Sequence, residues 1–367
     1  MRRLPFLDSL RGIAAIYVVF YHMALLPNPK LLLPDWASTF VLTGGTGVTL
    51  FFVVSGFSLC YTMPAHDSEH GGALSFYIRR FFRIAPLFYF MMAFYLVRDH
   101  FYFKANHGFV DIASSAAFIF NLIPGREDGF VWASWTLGAE MIFYVIFPFL
   151  VRRVVAVWSL VALFFGTLLL AAAFHEFLDY VIHDPMVREP FFASSFLRNL
   201  PIFVSGILVY RIFAHSAARS ALTARAGLAL IMISLYGYYA LLSGALNVLF
   251  VDPYYWQTII YSIFLLGLSA YPCAVFVNGI TRYLGNISYS IYLVHPSAIL
   301  FLYPIYTRIY ALSMPVTAKF LLSAGITLSV VIAVAAITYR YIEKPGMRLG
   351  KILLRSLINP SSEAAHV

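Results

Sequence analysis

The sequence predicts an all-α, polytopic membrane bundle of about ten transmembrane helices, with the N- and C-termini cytoplasmic. Three observations predict it. Charge is scarce: of 367 residues, 25 are Lys or Arg and 16 are Asp or Glu, 11% together, against 61% apolar residues and a mean hydropathy of +0.82. Soluble domains carry about 25% charged residues, so an ordinary soluble enzyme and a disordered chain are both excluded. Two cysteines exclude a disulfide scaffold. The apolar residues also gather into runs near the roughly 20 residues that a helix needs to cross the hydrocarbon core. Finally, the basic residues sort to one side of those runs, as topology requires.

In chain order the spans are Ser9–Leu26, Gly45–Thr62, Phe81–Val97, Trp135–Val151, Val154–Phe174, Arg198–Phe213, Ala226–Ser243, Tyr255–Val277, Ile287–Tyr303 and Phe320–Tyr341. The run Ile112–Asn121 is too short to cross and reads as re-entrant or interfacial. With the N-terminus inside and that run not crossing, 17 of the 25 basic residues face the cytoplasm, Arg2 and Arg219 among them. Letting the run cross would place the Arg152–Arg153 pair outside. The acidic residues sort the other way: inside lie Asp8, Asp67, Glu69, Glu343 and Glu363, and eleven of the 16 face outward. No small-residue cleavage site follows the first span, so it is an uncleaved helix. Residues 1–357 are expected to form one transmembrane domain in the inner (plasma) membrane, and 358–367 a short disordered cytoplasmic tail. Cys60 and Cys273 read as reduced packing residues. The +9 balance belongs to orientation and membrane lipids; no nucleic-acid partner is expected.

In such a chain the informative residues are ionisable groups inside spans. Asp8, Arg11, Ala15, Val18 and His22 recur at 3-4-3-4 spacing and form one stripe of the first helix. Asp8 is placed to cap the helix and pair with Arg11. Arg11 is either a snorkelling arginine or a functional one, and His22 lies roughly 16 Å further along the axis. A neutral membrane-embedded histidine can act as a base near pH 7. Glu140 is the one acid well within a span. Counted from the outer boundary, it and His22 come out at similar depths, roughly 8 and 9 Å. The carboxylate would then orient the imidazole; otherwise it sits protonated against a neighbouring carbonyl.

Arg80 and Arg83 are one turn apart at the inner end of the third span. Paired arginines grip phosphates, although inner helix ends also collect arginines for topology and anionic lipid. Ser55-Gly56 and Gly44-Gly45-Thr46-Gly47 supply small residues for close helix contact. His295-Pro296 interrupts the ninth span and reads as a kink with a hydrogen-bonded histidine. His175, Asp179 and His183 would share a helix face, but Pro185 limits the segment and no metal site is expected.

Several of these pieces stand together in order: Leu7-Asp8-Ser9-Leu10-Arg11-Gly12 with His22; Phe51-Phe52-Val53-Val54-Ser55-Gly56-Phe57; Arg79-Arg80-Phe81-Phe82-Arg83-Ile84-Ala85-Pro86; Trp135-Thr136-Leu137-Gly138-Ala139-Glu140 with Phe143-Tyr144; Ser288-Tyr289-Ser290-Ile291-Tyr292-Leu293-Val294-His295-Pro296; and Glu343-Lys344-Pro345. From about residue 4 to 346 the chain resembles the acyltransferase-3 family of integral membrane O-acyltransferases. The resemblance implies a ten-helix enzyme that moves an acyl group, often acetyl, from cytoplasmic acyl-CoA to a hydroxyl of a carbohydrate or glycoside acceptor, often on the outer side. Polysaccharide and other cell-envelope acceptors are in range.

The family's arginine and histidine on the first helix fall on Arg11 and His22, its Arg-x-x-Arg on Arg80 and Arg83, and its tryptophan and glutamate on Trp135 and Glu140. Given that donor, Arg80, Arg83 and Arg11 would hold the CoA phosphates. His22 would deprotonate the acceptor or carry the acyl group transiently, with Glu140 behind it. Asp8, Ser55, Trp135 and His295, which stand in the same motifs, are expected at the substrate. Relatives with a fused extracytoplasmic hydrolase-like domain exist; this chain is expected to be the form without one. It would acylate its acceptor directly or pass the group to a separate periplasmic protein. The rival class is a proton-coupled transporter or flippase of a glycan or lipid-linked intermediate, disfavoured because the two halves show no repeat.

Overall fold

The computed structural model describes residues 3–67, 72–218, 222–245 and 252–358. Arg2, Glu69, Arg219, Glu363 and the expected tail from residue 359 onward lie outside the described residues. Fifteen α-helices run in order: α1 (Pro5–Leu25), α2 (Asp35–Leu42), α3 (Gly47–Asp67), α4 (Gly72–Arg98), α5 (Phe109–Ala116), α6 (Trp135–Arg153), α7 (Val157–Val181), α8 (Pro185–Ser194), α9 (Phe196–Ala218), α10 (Ala224–Leu242), α11 (Pro253–Ala270), α12 (Gly279–Asn286), α13 (Ser288–Ala311), α14 (Val316–Thr338) and α15 (Lys344–Ile358). No strand occurs among the described residues. Seven helical stretches among them are long and apolar enough to cross a membrane by length and composition, so this is a multi-pass membrane protein.

Each predicted span forms a helix. The helices that outrun their spans furthest are α4, starting at Gly72, and α13, ending at Ala311; α11 falls short, stopping at Ala270 rather than Val277. Pro272 forces the preceding residue out of helical geometry. Ile112–Asn121 becomes α5 and a 3₁₀ turn at Phe120–Leu122, and it does not extend into a span. The short helices α2, α8 and α12 and the basic helix α15 had no counterpart in the apolar runs.

In lipid, helices gain little from hydrophobic burial against one another, so close packing of small residues holds them. At the α3–α9 crossing, a Cβ on Gly206 would fall against the Val53 carbonyl and 2.9 Å from the Phe57 nitrogen. Gly56 meets the Phe203 carbonyl from the other side. At the α1–α12 crossing, a Cβ on Gly12 would lie 2.7 Å from the Gly285 nitrogen. These contacts draw α1 and α3 into the centre, where Leu10, Ala14, Val18, Val53 and Phe57 are fully buried.

Side-chain bonds fix the relative direction of the helices around the site. Thr136 near the start of α6 bonds Tyr292. Tyr77 near the start of α4 bonds the Val145 carbonyl, two turns further along α6. Arg98 at the end of α4 bonds Ser297 on α13. Thus α4 and α13 run together and α6 runs against them. Arg80 and Arg83 stand at one end of this group, and Arg98 roughly 22 Å further along α4 at the other.

Candidate active site

Between α1, α3, α4, α6 and α13 lies a cavity of about 80 Å³. Its polar lining includes Arg11, Arg80, Arg83, Glu140, Ser55 and Tyr144. Three guanidinium groups and one carboxylate in one helix-walled space make a positive site, costly inside a membrane unless an anion is its purpose. Arg80 donates to Thr62 Oγ1 at 3.1 Å, and its guanidinium lies 5.7 Å from the ring centres of both Phe76 and Tyr144. Arg11 and Arg83 make no hydrogen bond among the described residues, which leaves their donor forks for a bidentate anion.

Glu140 accepts from Ser55 Oγ (2.7 Å) and from Tyr144 OH (2.5 Å) through the same oxygen. The small residue at Ser55 therefore serves the site as well as packing. Tyr144 is one helical turn from Glu140, a spacing legible in the sequence, though its hydroxyl was not singled out there. Trp135 does not line the cavity; its ring packs edge-on against Phe52, which does (centroids 6.1 Å, 84°).

The expected Asp8–Arg11 pair does not form. Asp8 bonds Arg3 Nε at 2.6 Å, and the residue before α1 is Leu4, with no side-chain cap. An arginine five residues back reaches the same carboxylate from outside the helix, which leaves Arg11 free to turn inward.

The expected His22–Glu140 pair is also replaced. His22 Nδ1 lies 2.9 Å from His295 Nε2. Counted from one outer boundary, α1 and α6 would end and begin level, but the chain before α6 dips into the protein. Phe120, Asn121, Val131 and Ser134 are each at most 1% exposed, and Asn121 bonds the Trp135 carbonyl at 2.8 Å. Irregular backbone at depth is tolerated where protein covers it. Hence α6 starts deep, and Glu140 falls nearer the arginines.

With both rings neutral, the carbonyl beside His295 sets the donor order of the pair. His295 is fully buried, and its Nδ1 lies 3.2 Å from the Ile291 carbonyl, which can only accept. His295 Nδ1 therefore donates, and its Nε2 accepts from His22 Nδ1. His22 Nε2 is left with a lone pair, as a base or nucleophile requires. The expected interruption at Pro296 does not occur, and the helix runs on through it; the histidine is hydrogen-bonded as expected. Tyr292 joins the two places: it lines the cavity, and its ring centre lies 5.8 Å from that of His295.

No group of three or more metal-type side chains occurs among the described residues. His175 and Asp179 lie on α7 and face α8 instead, where Arg188 pairs with Asp179 and Glu189 lies 3.5 Å from His175.

The sequence profile of an acyltransferase domain matches residues 4–340. The chain belongs to the acyltransferase-3 family. Proteins of Staphylococcus aureus strains COL and N315, each named "Putative O-acetyltransferase", are 25% identical to it over 95% of this chain and 58% of their own. The chain thus spans somewhat over half the length of the curated relatives it matches. No solved structure matches it.

Proposed function

We propose that this acyltransferase moves an acyl group, acetyl in the first instance, from cytoplasmic acyl-CoA to a hydroxyl of a carbohydrate or related acceptor. It would do so from the inner membrane, with ten spans, cytoplasmic termini and the acceptor on the outer side. The observation that carries the reading is the cavity shared by Arg11, Arg80, Arg83 and Glu140. Its donor set fits a phosphorylated carrier: guanidinium forks match phosphate oxygens, and those of Arg11 and Arg83 have no hydrogen-bond partner among the described residues. A thioester brought there supplies an activated acyl carbon.

The residues divide the work by level. Arg80, Arg83 and Arg11 hold the anionic end at one end of the cavity. Tyr292 and Thr136, bonded at 3.1 Å, form its far wall toward the histidines. His22, with Nδ1 engaged by His295, takes the acceptor proton at Nε2 or attacks the acyl carbon itself. Glu140, held by Ser55 and Tyr144, offsets the arginine charge and fixes the cavity wall. In this reading it does not orient His22.

The test is release of free CoA thiol from acetyl-CoA by the purified chain in lipid nanodiscs, with cell-envelope glycan supplied. Release that requires both protein and glycan supports the reading. Glycan-independent inertness across acetyl-, propionyl- and longer acyl-CoA contradicts it.

A further inference from the structure

The last helix, α15, presents three strips along its axis. Gly346, Gly350 and Leu354, four residues apart, are buried. A Cβ on Gly346 would lie 2.5 Å from Pro86, and one on Gly350 2.6 Å from Phe82. This strip therefore seats α15 along α4 at two residues that bracket Arg83. Glu343, immediately before α15, accepts from Ser290 on α13 at 2.9 Å. Both contacts hold the helix at the arginine end of the bundle.

The other two strips are exposed. Lys344, Arg348, Lys351 and Arg355 recur at i, i+4, i+7 and i+11 and share one flank. Their side chains make no hydrogen bond or ion pair among the described residues, and α15 contains no acidic residue. Leu349, Ile352, Leu353 and Leu357 take the other flank, at 58%, 61%, 40% and 54% exposure.

Water suits the cations but not a flank of large aliphatic side chains. A free phosphate would pair with the cations and leave the aliphatic flank uncovered. A bilayer surface covers both, because the cations meet headgroup phosphates while the aliphatic flank enters the acyl boundary. With 15 residues, four of them cationic, α15 is no span of its own. It follows the apolar α14 through the single turn Tyr339–Glu343, which keeps it at the membrane. Cations without a compensating acid select anionic over zwitterionic headgroups. We propose that α15 is an interfacial anchor whose cations bind anionic phospholipid headgroups, with its aliphatic flank in the acyl boundary. Such binding requires no acyl transfer.

The full chain in detergent is titrated with phosphatidylglycerol and, in parallel, with phosphatidylcholine of the same acyl chains, and bound lipid is counted by native mass spectrometry. Wild type should retain phosphatidylglycerol in preference. Arg348→Gln and Lys351→Gln should each weaken that retention about fivefold, the share of one cation near an anionic surface. Both side chains are exposed, so melting temperatures should match wild type. Arg308→Gln removes an exposed cation near the far end of α13 and should leave retention unchanged. Equal retention of the two lipids by wild type would overturn the proposal. So would α15 variants that retain phosphatidylglycerol as wild type does, or a loss as large in Arg308→Gln. A dimer abolished by the double substitution Leu349→Gln and Leu353→Gln would give this face to a second copy of the chain and would also overturn it.

Discussion

Replacing His295 with leucine removes the acceptor that fixes the His22 tautomer and leaves a side chain of similar bulk in a fully buried position. The bond at stake is the 2.9 Å contact between the two rings. Leaving a buried donor unsatisfied costs about 1 to 3 kcal/mol, which converts to roughly a 5- to 150-fold fall in kcat. The three arginines do not touch His295, so the KM for acetyl-CoA should hold. Glutamine at the same position offers a carbonyl oxygen to His22 Nδ1 and should restore part of the rate. The assay is steady-state CoA-thiol release in nanodiscs, with the pH profile of kcat recorded for each variant. A leucine variant with wild-type kcat and an unchanged pH profile would refute the tautomer argument.

Arg80→Gln and Arg83→Gln should each raise the KM for acetyl-CoA, by about 10- to 150-fold if one charge-assisted phosphate bond of 1.5–3 kcal/mol is lost, with a smaller effect on kcat; titration of the donor checks this. Gly206→Val drives a side chain into the Val53 carbonyl and should destabilise the chain by about 1–3 kcal/mol, read as a lower melting temperature in detergent. Burial holds the Asp128 carboxyl above its ordinary value of 3.8. Its contribution to stability is therefore complete at pH below that value and is lost as pH rises through the folded one. Asp128→Asn should flatten this part of the stability–pH curve, measured as melting temperature from pH 4 to 7.

The helices and the arginine end of the site were legible because their signals are local. Apolar runs set the spans, and one-turn spacing put Arg80 and Arg83 on a common face. What failed was long-range. The sequence carries no mark that the chain before α6 dips inward, so Glu140 was placed at the wrong level and given to His22. His295 was legible as a hydrogen-bonded histidine, but its partner His22 lies 273 residues away in the chain and only the fold brings the two rings together. Asp8 was assigned to its neighbour at i+3, while Arg3, preceding the helix, was nearer.

The account turns on His22 as the group that accepts the proton or the acyl carbon, and one measurement addresses it directly. His22→Gln and wild-type protein, matched for membrane insertion and melting temperature, are compared for transfer of labelled acetyl from acetyl-CoA to envelope glycan. The account predicts a fall of about 10²- to 10⁴-fold, the usual loss of a general base, with acetyl-CoA still bound. A His22→Gln protein that transfers acetyl at the wild-type rate would contradict it.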